Sequence, residues 1–181
     1  MTLNEAVQLI EKAAINPREA GTWADLGCGS GVFTRALASL LPAGSLIYAV
    51  DQKRHAFNPP AGSEVTIEMV QADFEKEQLN LPQLDGILMA NALHYVADKP
   101  AFLEDIQSQL KTNGAMIIVE YDTTRANPWV PYPITFIALI ELLRASGFGN
   151  IHKIGERPSV YQGQMYACFA SRKGNSERVS G

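Results

Sequence analysis

The run Asp25-Leu26-Gly27-Cys28-Gly29-Ser30-Gly31 sets three glycines at alternate positions, the first of them two residues after a carboxylate. Glycines let a chain turn tightly and bring backbone N–H groups close to a bound ligand. Asp51 closes the next apolar stretch about 20 residues beyond Gly31, where an acid accepts hydrogen bonds from ribose hydroxyls. Two nucleotide-type ligands compete for such a loop. A dinucleotide fingerprint, GxGxxG, needs glycine at position 32, but Val32 stands there and the third glycine comes one residue early. The carboxylate of Asp25 repels a pyrophosphate and attracts a cation with a free amino group. That favours S-adenosylmethionine, with its sulfonium and ammonium, over NAD.

These residues need elements to hold them. Leu3, Val7, Ile10 and Ala14 recur at helical spacing behind a Thr2/Glu5 capping box, up to a stop at Asn16-Pro17. Thr22 to Leu26 reads as a strand, and Val32, Phe33, Ala36, Leu37 and Leu40 as a helix ended by Pro42. Strands are expected at Ser45–Val50, Val65–Val70, Leu84–Ala90 and Ala115–Glu120. Little room for a helix remains between Gln52 and Asn58-Pro59-Pro60. Asp98 caps a helix bearing Phe102, Ile106 and Leu110, closed by Asn113-Gly114. Ile137, Ile140 and Leu143 mark another helix, stopped by Gly147. Ile151–Ile154 and Gln164–Ala170 then read as an antiparallel pair around Pro158. Apolar strands alternating with amphipathic helices predict an α/β fold, a doubly wound parallel sheet covered on both faces. Residues 1–172 form one domain in this reading, and 173–181 a polar, flexible tail.

With these motifs in place, the sequence resembles the class I S-adenosylmethionine-dependent methyltransferases over residues 20–122. Ala24 to Gly31 resembles the family's first motif and Tyr48-Ala49-Val50-Asp51 its second. Gln71-Ala72-Asp73-Phe74 resembles the third, Leu84 to Tyr95 the fourth strand with its end, and Lys111-Thr112-Asn113-Gly114-Ala115 the approach to the fifth. The resemblance implies a Rossmann-like seven-stranded sheet of order 3-2-1-4-5-7-6 with strand seven antiparallel. It also implies S-adenosylmethionine as cofactor and S-adenosylhomocysteine as product.

The residues it implies for the cofactor are Asp25, Gly27, Cys28, Gly29 and Gly31 in the loop, Asp51 with Gln52 at the ribose, Asp73 and Phe74 at the adenine, and Ala90 and Asn91 near the reacting methyl. Each has a plainer alternative. Asp25 can satisfy backbone donors at the turn, Asp73 can cap the following segment, Phe74 can simply pack, and Cys28 is a small filler rather than a nucleophile. His94 is either a general base, suited by its pKa to proton abstraction near neutrality, or a structural residue of the loop after strand four. Asp122, with Glu120, is a candidate to orient or deprotonate a nucleophile. Tyr95, Tyr121, Trp129 and Tyr132 are expected on the acceptor side, the last two on a lip stiffened by Pro128, Pro131 and Pro133, or else as cover for the core.

Composition sets the outer limits. The chain has 181 residues, 46% of them hydrophobic, with 15 Lys plus Arg, 19 Asp plus Glu and a net charge of -4. An acidic balance lacks the footprint of a dedicated nucleic-acid binder, and the most apolar run, Ile134 to Leu143, is too short for a membrane span. Two cysteines and three scattered histidines make neither a disulfide framework nor a metal site, so no metal and a cytoplasmic setting are expected. The expected function is transfer of a methyl group to a small molecule by in-line displacement, alone, as a homodimer or with a partner subunit. The alternatives are a catalytically silent cofactor-binding or partner module and, with less support, a nucleotide-dependent oxidoreductase.

Overall fold

A computed structural model describes residues 1–159 and 163–173. The expected tail lies, from residue 174 onward, outside the described residues. The chain runs α1 (Leu3–Ile10), β1 (Thr22–Leu26), α2 (Val32–Leu40), β2 (Leu46–Asp51), β3 (Thr66–Gln71), β4 (Leu84–Ala90), α3 (Lys99–Gln109), β5 (Leu110–Tyr121), α4 (Phe136–Ala145), β6 (Phe148–Pro158) and β7 (Gln164–Arg172), with one 3₁₀ turn at Leu93–Tyr95. The seven strands form one sheet of order β3-β2-β1-β4-β5-β7-β6. β1 to β5 pair in parallel, and β7 runs antiparallel to both β5 and β6. This is the doubly wound architecture expected from the sequence.

Each face of the sheet buries its own core. On one face Ala6, Leu9 and Ile10 of α1 and Phe33, Ala36 and Leu37 of α2 pack on Trp23, Ile47, Leu88 and Ile117. On the other, Leu103 and Ile106 of α3 and Leu139 and Leu143 of α4 pack on Leu26, Ile87, Met89 and Ile118. The central strands are apolar on both sides, as a covered parallel sheet requires.

Two helix ends differ from the sequence reading, and the strand expected at Ile151–Ile154 runs the longer span Phe148–Pro158. The capping box forms, with Glu5 N–H donating to Thr2 Oγ1 and Thr2 N–H to Glu5 Oε2. The helix nevertheless stops at Ile10, short of Ala14. Its end meets β6 closely: a Cβ on Gly155 would lie 2.2 Å from the Leu9 carbonyl oxygen. Asn113-Gly114 does not close α3. Leu110 is already extended and pairs with Leu84, and Asn113, with φ 62, sits inside β5 where its register against β4 shifts. No helix forms between β2 and β3, as the prolines there foretold.

Candidate functional site

The glycine loop is pinned to the end of β2. Gly27 and Cys28 both donate to the Val50 carbonyl, at 2.8 and 3.0 Å, and Gly29 donates to Asp51 Oδ2 at 2.9 Å. Gly27 has φ 79 and no room for a side chain, since a Cβ would sit 2.7 Å from Ala92 Cβ. Gly31 has φ 78 and opens α2 beneath the ring of Phe57. The loop leaves a cavity of about 920 Å³ across the carboxyl ends of the parallel strands, where open α/β sheets bind ligands.

Asp25 lies beneath this wall, 1% exposed, and does not line the cavity. Its Oδ2 accepts from Thr34 Oγ1 at 2.6 Å, while its Oδ1 has no partner. Burial, with a smaller contribution from the charge of Asp51, pushes its carboxyl up to about 7. A carboxylate so held lacks a cation. Cys28 lines the cavity, but burial and the charges of Asp25 and Asp51 push its thiol up to about 12. It stays protonated and is no nucleophile at neutral pH.

The next wall is acidic. Asp51 Oδ1 accepts from Lys53 N–H at 2.9 Å and lies 3.6 Å from His55 Nε2. Gln52 lines the cavity through a segment tied down by Gln71 Nε2, which donates to its carbonyl. Asp73 accepts from Lys76 Nζ at 2.9 Å, which holds its carboxyl below the usual range. Phe74 lines the cavity beside it, its ring 5.9 Å from that of Phe102.

A second cavity, about 610 Å³, adjoins the first and is lined by Asn91, His94, Tyr95, Tyr121, Asn127, Trp129 and Val130. Asn91 follows β4 in the left-handed region, φ 54, with its N–H on the Val119 carbonyl and its Oδ1 buried without a partner. His94 is 2% exposed and Glu120 1%. Glu120 accepts from both the backbone N–H and Nδ1 of His94, at 3.0 and 2.7 Å. Across the mouth, Asn127 Oδ1 accepts from the N–H groups of Trp129 and Val130, and Trp129 stands 79% exposed.

The structure gathers most of the expected residues. Gly27, Cys28, Gly29, Asp51, Gln52, Asp73, Phe74, Ala90 and Asn91 line the first cavity; Asn91, Tyr95 and Tyr121 line both. Gly31 shapes the turn without reaching the cavity. Asp122 lines neither cavity: its Oδ1 accepts from Phe136 N–H at the start of α4. Tyr132 also lines neither, and instead ties the lip down, donating its N–H to the His94 carbonyl and accepting from buried Lys99 Nζ. Residues not anticipated also line the first cavity, among them Met1, Glu5 and Arg157, the last two joined at 2.8 Å. Only the β6–β7 hairpin folding back beside α1 brings them there, and no local pattern announces that.

A seven-stranded sheet of this order with a glycine loop and an acid at the end of β2 defines a Rossmann-like methyltransferase. The chain belongs to a methyltransferase-domain family, matched over residues 18–145, and its fold is that of the class I S-adenosylmethionine-dependent enzymes. It is 28% identical over 132 residues to a malonyl-[acyl-carrier protein] O-methyltransferase of Coxiella burnetii, a match covering 69% of this chain and 52% of that protein. The chain thus spans about half the length of that relative. Among solved structures it resembles the 1,6-didemethyltoxoflavin N1-methyltransferase of Burkholderia thailandensis, bound to 1,6-didemethyltoxoflavin and S-adenosylhomocysteine, with TM-score 0.64, 21% identity and coverage of 95% of this chain and 78% of that one. It also resembles a methyltransferase structure from Bacillus halodurans, with TM-score 0.69, 13% identity and coverage of 94% and 100%. The first of these structures holds S-adenosylhomocysteine, the demethylated form of S-adenosylmethionine. The residues present suit it: a buried carboxylate with an unpartnered oxygen for a cation, an open Gly29 backbone and the acids at Asp51 and Asp73. Among the described residues no helix is long and apolar enough to cross a membrane.

Proposed function

We propose that this chain transfers a methyl group from S-adenosylmethionine to a small molecule held in the second cavity. One observation carries the reading: Asn91, Tyr95 and Tyr121 line both cavities, so a donor in one and an acceptor in the other meet at these side chains. The cofactor supplies an electrophilic methyl group on a sulfonium. The protein's part is to align the partners and exclude water. Asp51 receives the ribose hydroxyls, Asp73 and Phe74 border the adenine, and Asp25 steadies the ammonium through water from beneath Gly27 to Gly29. His94 acts as general base through Nε2, because Glu120 holds Nδ1 and the ring lines the acceptor cavity. Two buried free thiols, Cys28 and Cys168, support a cytoplasmic setting.

The test is incubation with S-adenosylmethionine and a panel of small acceptors, following S-adenosylhomocysteine and the mass of each acceptor. Equal amounts of S-adenosylhomocysteine and methylated product support the reading. Tight cofactor binding without turnover across the panel overturns it in favour of a silent cofactor-binding module.

A further inference from the structure

Resting on that reading, we infer the class of acceptor: an uncharged, planar aromatic molecule whose methylated atom carries a proton, as a hydroxyl or a ring N–H. The second cavity is walled by the rings of Tyr95, Tyr121, Trp129 and His94, with Val130 beside them. The His94 ring centroid lies 4.5 Å from that of Tyr95 and 6.0 Å from that of Tyr121. Rings packed on one another at these distances form a continuous aromatic wall, which a flat π-system covers better than a puckered or branched one.

Charge decides against the other classes. Among the described residues, no Lys, Arg, Asp or Glu lines this cavity. Arg125, on the lip, is exposed and does not line the cavity, and three other charged side chains of the surrounding segments are committed elsewhere. Lys99 Nζ donates to the Val96 and Tyr132 carbonyls, at 2.8 Å each. Glu120 accepts both hydrogen bonds of His94, and Asp122 accepts from Phe136 N–H. An acceptor carboxylate, phosphate or ammonium brought here is desolvated without a countercharge. The carrier-bound acid named for the Coxiella relative therefore has no cation to meet in this cavity.

Two polar groups point to the reacting atom. Asn91 lines both cavities, and its buried Oδ1 takes no donor from the described residues, so a ligand O–H or N–H at the junction of the cavities can satisfy it. The acceptor's O–H or N–H supplies that donor, and His94 Nε2 removes the proton. The freed lone pair of that oxygen or nitrogen forms the bond to the methyl carbon. The S–CH₃ bond breaks with its electron pair returning to sulfur, so the sulfonium leaves as a neutral thioether. The proton stays on the imidazole, beside the Glu120 carboxylate, until it passes to solvent.

The experiment is titration calorimetry on the full chain saturated with S-adenosylhomocysteine, using 2-naphthol, 2-naphthoate and decahydro-2-naphthol. The expected result is saturable binding of 2-naphthol, roughly tenfold or more tighter than either of the others. Trp129→Ala, at an exposed position that leaves the fold intact, weakens the 2-naphthol complex several-fold. Naphthoate binding as tightly as naphthol overturns the claim of an uncharged acceptor, and decahydronaphthol binding as tightly overturns planarity. Failure of 2-naphthol to bind while S-adenosylhomocysteine binds overturns the inference alone. Failure of S-adenosylhomocysteine itself to bind overturns the reading beneath it.

Discussion

His94 Nδ1 lies 2.7 Å from Glu120 Oε2, and the other carboxylate oxygen of Glu120 accepts the His94 backbone N–H at 3.0 Å. One buried carboxylate thus fixes both the ring and the peptide of the histidine at the acceptor cavity. The end of β5 holds the loop after β4 in this way, and it selects the tautomer with its proton on Nδ1. Nε2 is then the basic nitrogen.

The dyad predicts a specific pattern of loss. His94→Gln lowers kcat by about 10²–10⁴ while the affinity for S-adenosylhomocysteine stays near wild type. Glu120→Gln presents an amide N–H₂ to Nδ1, forces the proton onto Nε2 and lowers kcat in the same direction. Both losses shrink as the acceptor's O–H or N–H becomes more acidic and needs less help in giving up its proton. Steady-state kinetics on acceptors of graded acidity checks this; equal losses on all of them would mean that His94 is only structural.

Asp25 predicts a pH dependence. Its folded-state carboxyl is raised from 3.8 to about 7, so the folded protein holds a proton that the unfolded chain releases. Its effect on stability is therefore absent below about pH 4 and becomes an increasing cost as pH rises to about 7. Asp25→Asn stabilises the cofactor-free protein at pH 8 by up to roughly 4 kcal/mol, at about 1.4 kcal/mol per pKa unit. In the role proposed for Asp25 at the cofactor's ammonium the ionised form binds better, so wild-type affinity is expected to strengthen from pH 6 to pH 8 with release of a proton. Denaturant unfolding and calorimetry in buffers of different ionisation heat measure the two effects, and a flat profile matching that of Asp25→Asn contradicts them.

The docking of α1 rests on one missing side chain. A Cβ at Gly155 meets the Leu9 carbonyl oxygen at 2.2 Å. Gly155→Ala forces α1 away from β6 and destabilises the fold by about 1–3 kcal/mol. Because Met1, Glu5 and Arg157 line the cavity proposed for the cofactor, S-adenosylhomocysteine affinity is expected to fall as well. Urea unfolding together with calorimetry checks both, and an unchanged midpoint contradicts the packing described.

Lys99 holds the acceptor lip. Its Nζ donates to the Val96 and Tyr132 carbonyls, and burial lowers its pKa. Lys99→Met leaves two carbonyls without their donor, at a cost of about 1–3 kcal/mol, and loosens the lip. KM for the acceptor rises while S-adenosylhomocysteine affinity holds, as paired kinetics and calorimetry would show; equal loss of both would place Lys99 in the general core.

The parallel sheet and the residues that wall the first cavity were legible because their signals are local. Thr22–Leu26 and Leu84–Ala90 are short apolar runs ended by turn chemistry, and the structure places both strands at those residues. Asp51 and Asp73 end or follow strands in sequence, so their positions follow from strand polarity alone. The ends of α1 and α3 were not legible, because the contact of Leu9 with Gly155 and the pairing of Leu110 with Leu84 are long-range. The same reason hid Arg157. Asp122 and Tyr132 carry chemistry-capable groups, but their backbone surroundings direct them into α4 and the lip. Glu120 and His94 were noted separately; their pairing depends on β4 and β5 being neighbours in the sheet.

The most direct test of the account is calorimetric titration of the full chain with S-adenosylhomocysteine, comparing wild type with Asp51→Ala. One site per chain is expected, with a loss of about 1–3 kcal/mol in the variant, the cost of leaving the ribose hydroxyls without their acceptor. Binding of NAD in place of S-adenosylhomocysteine, or equal affinity in a folded Asp51→Ala, would contradict it.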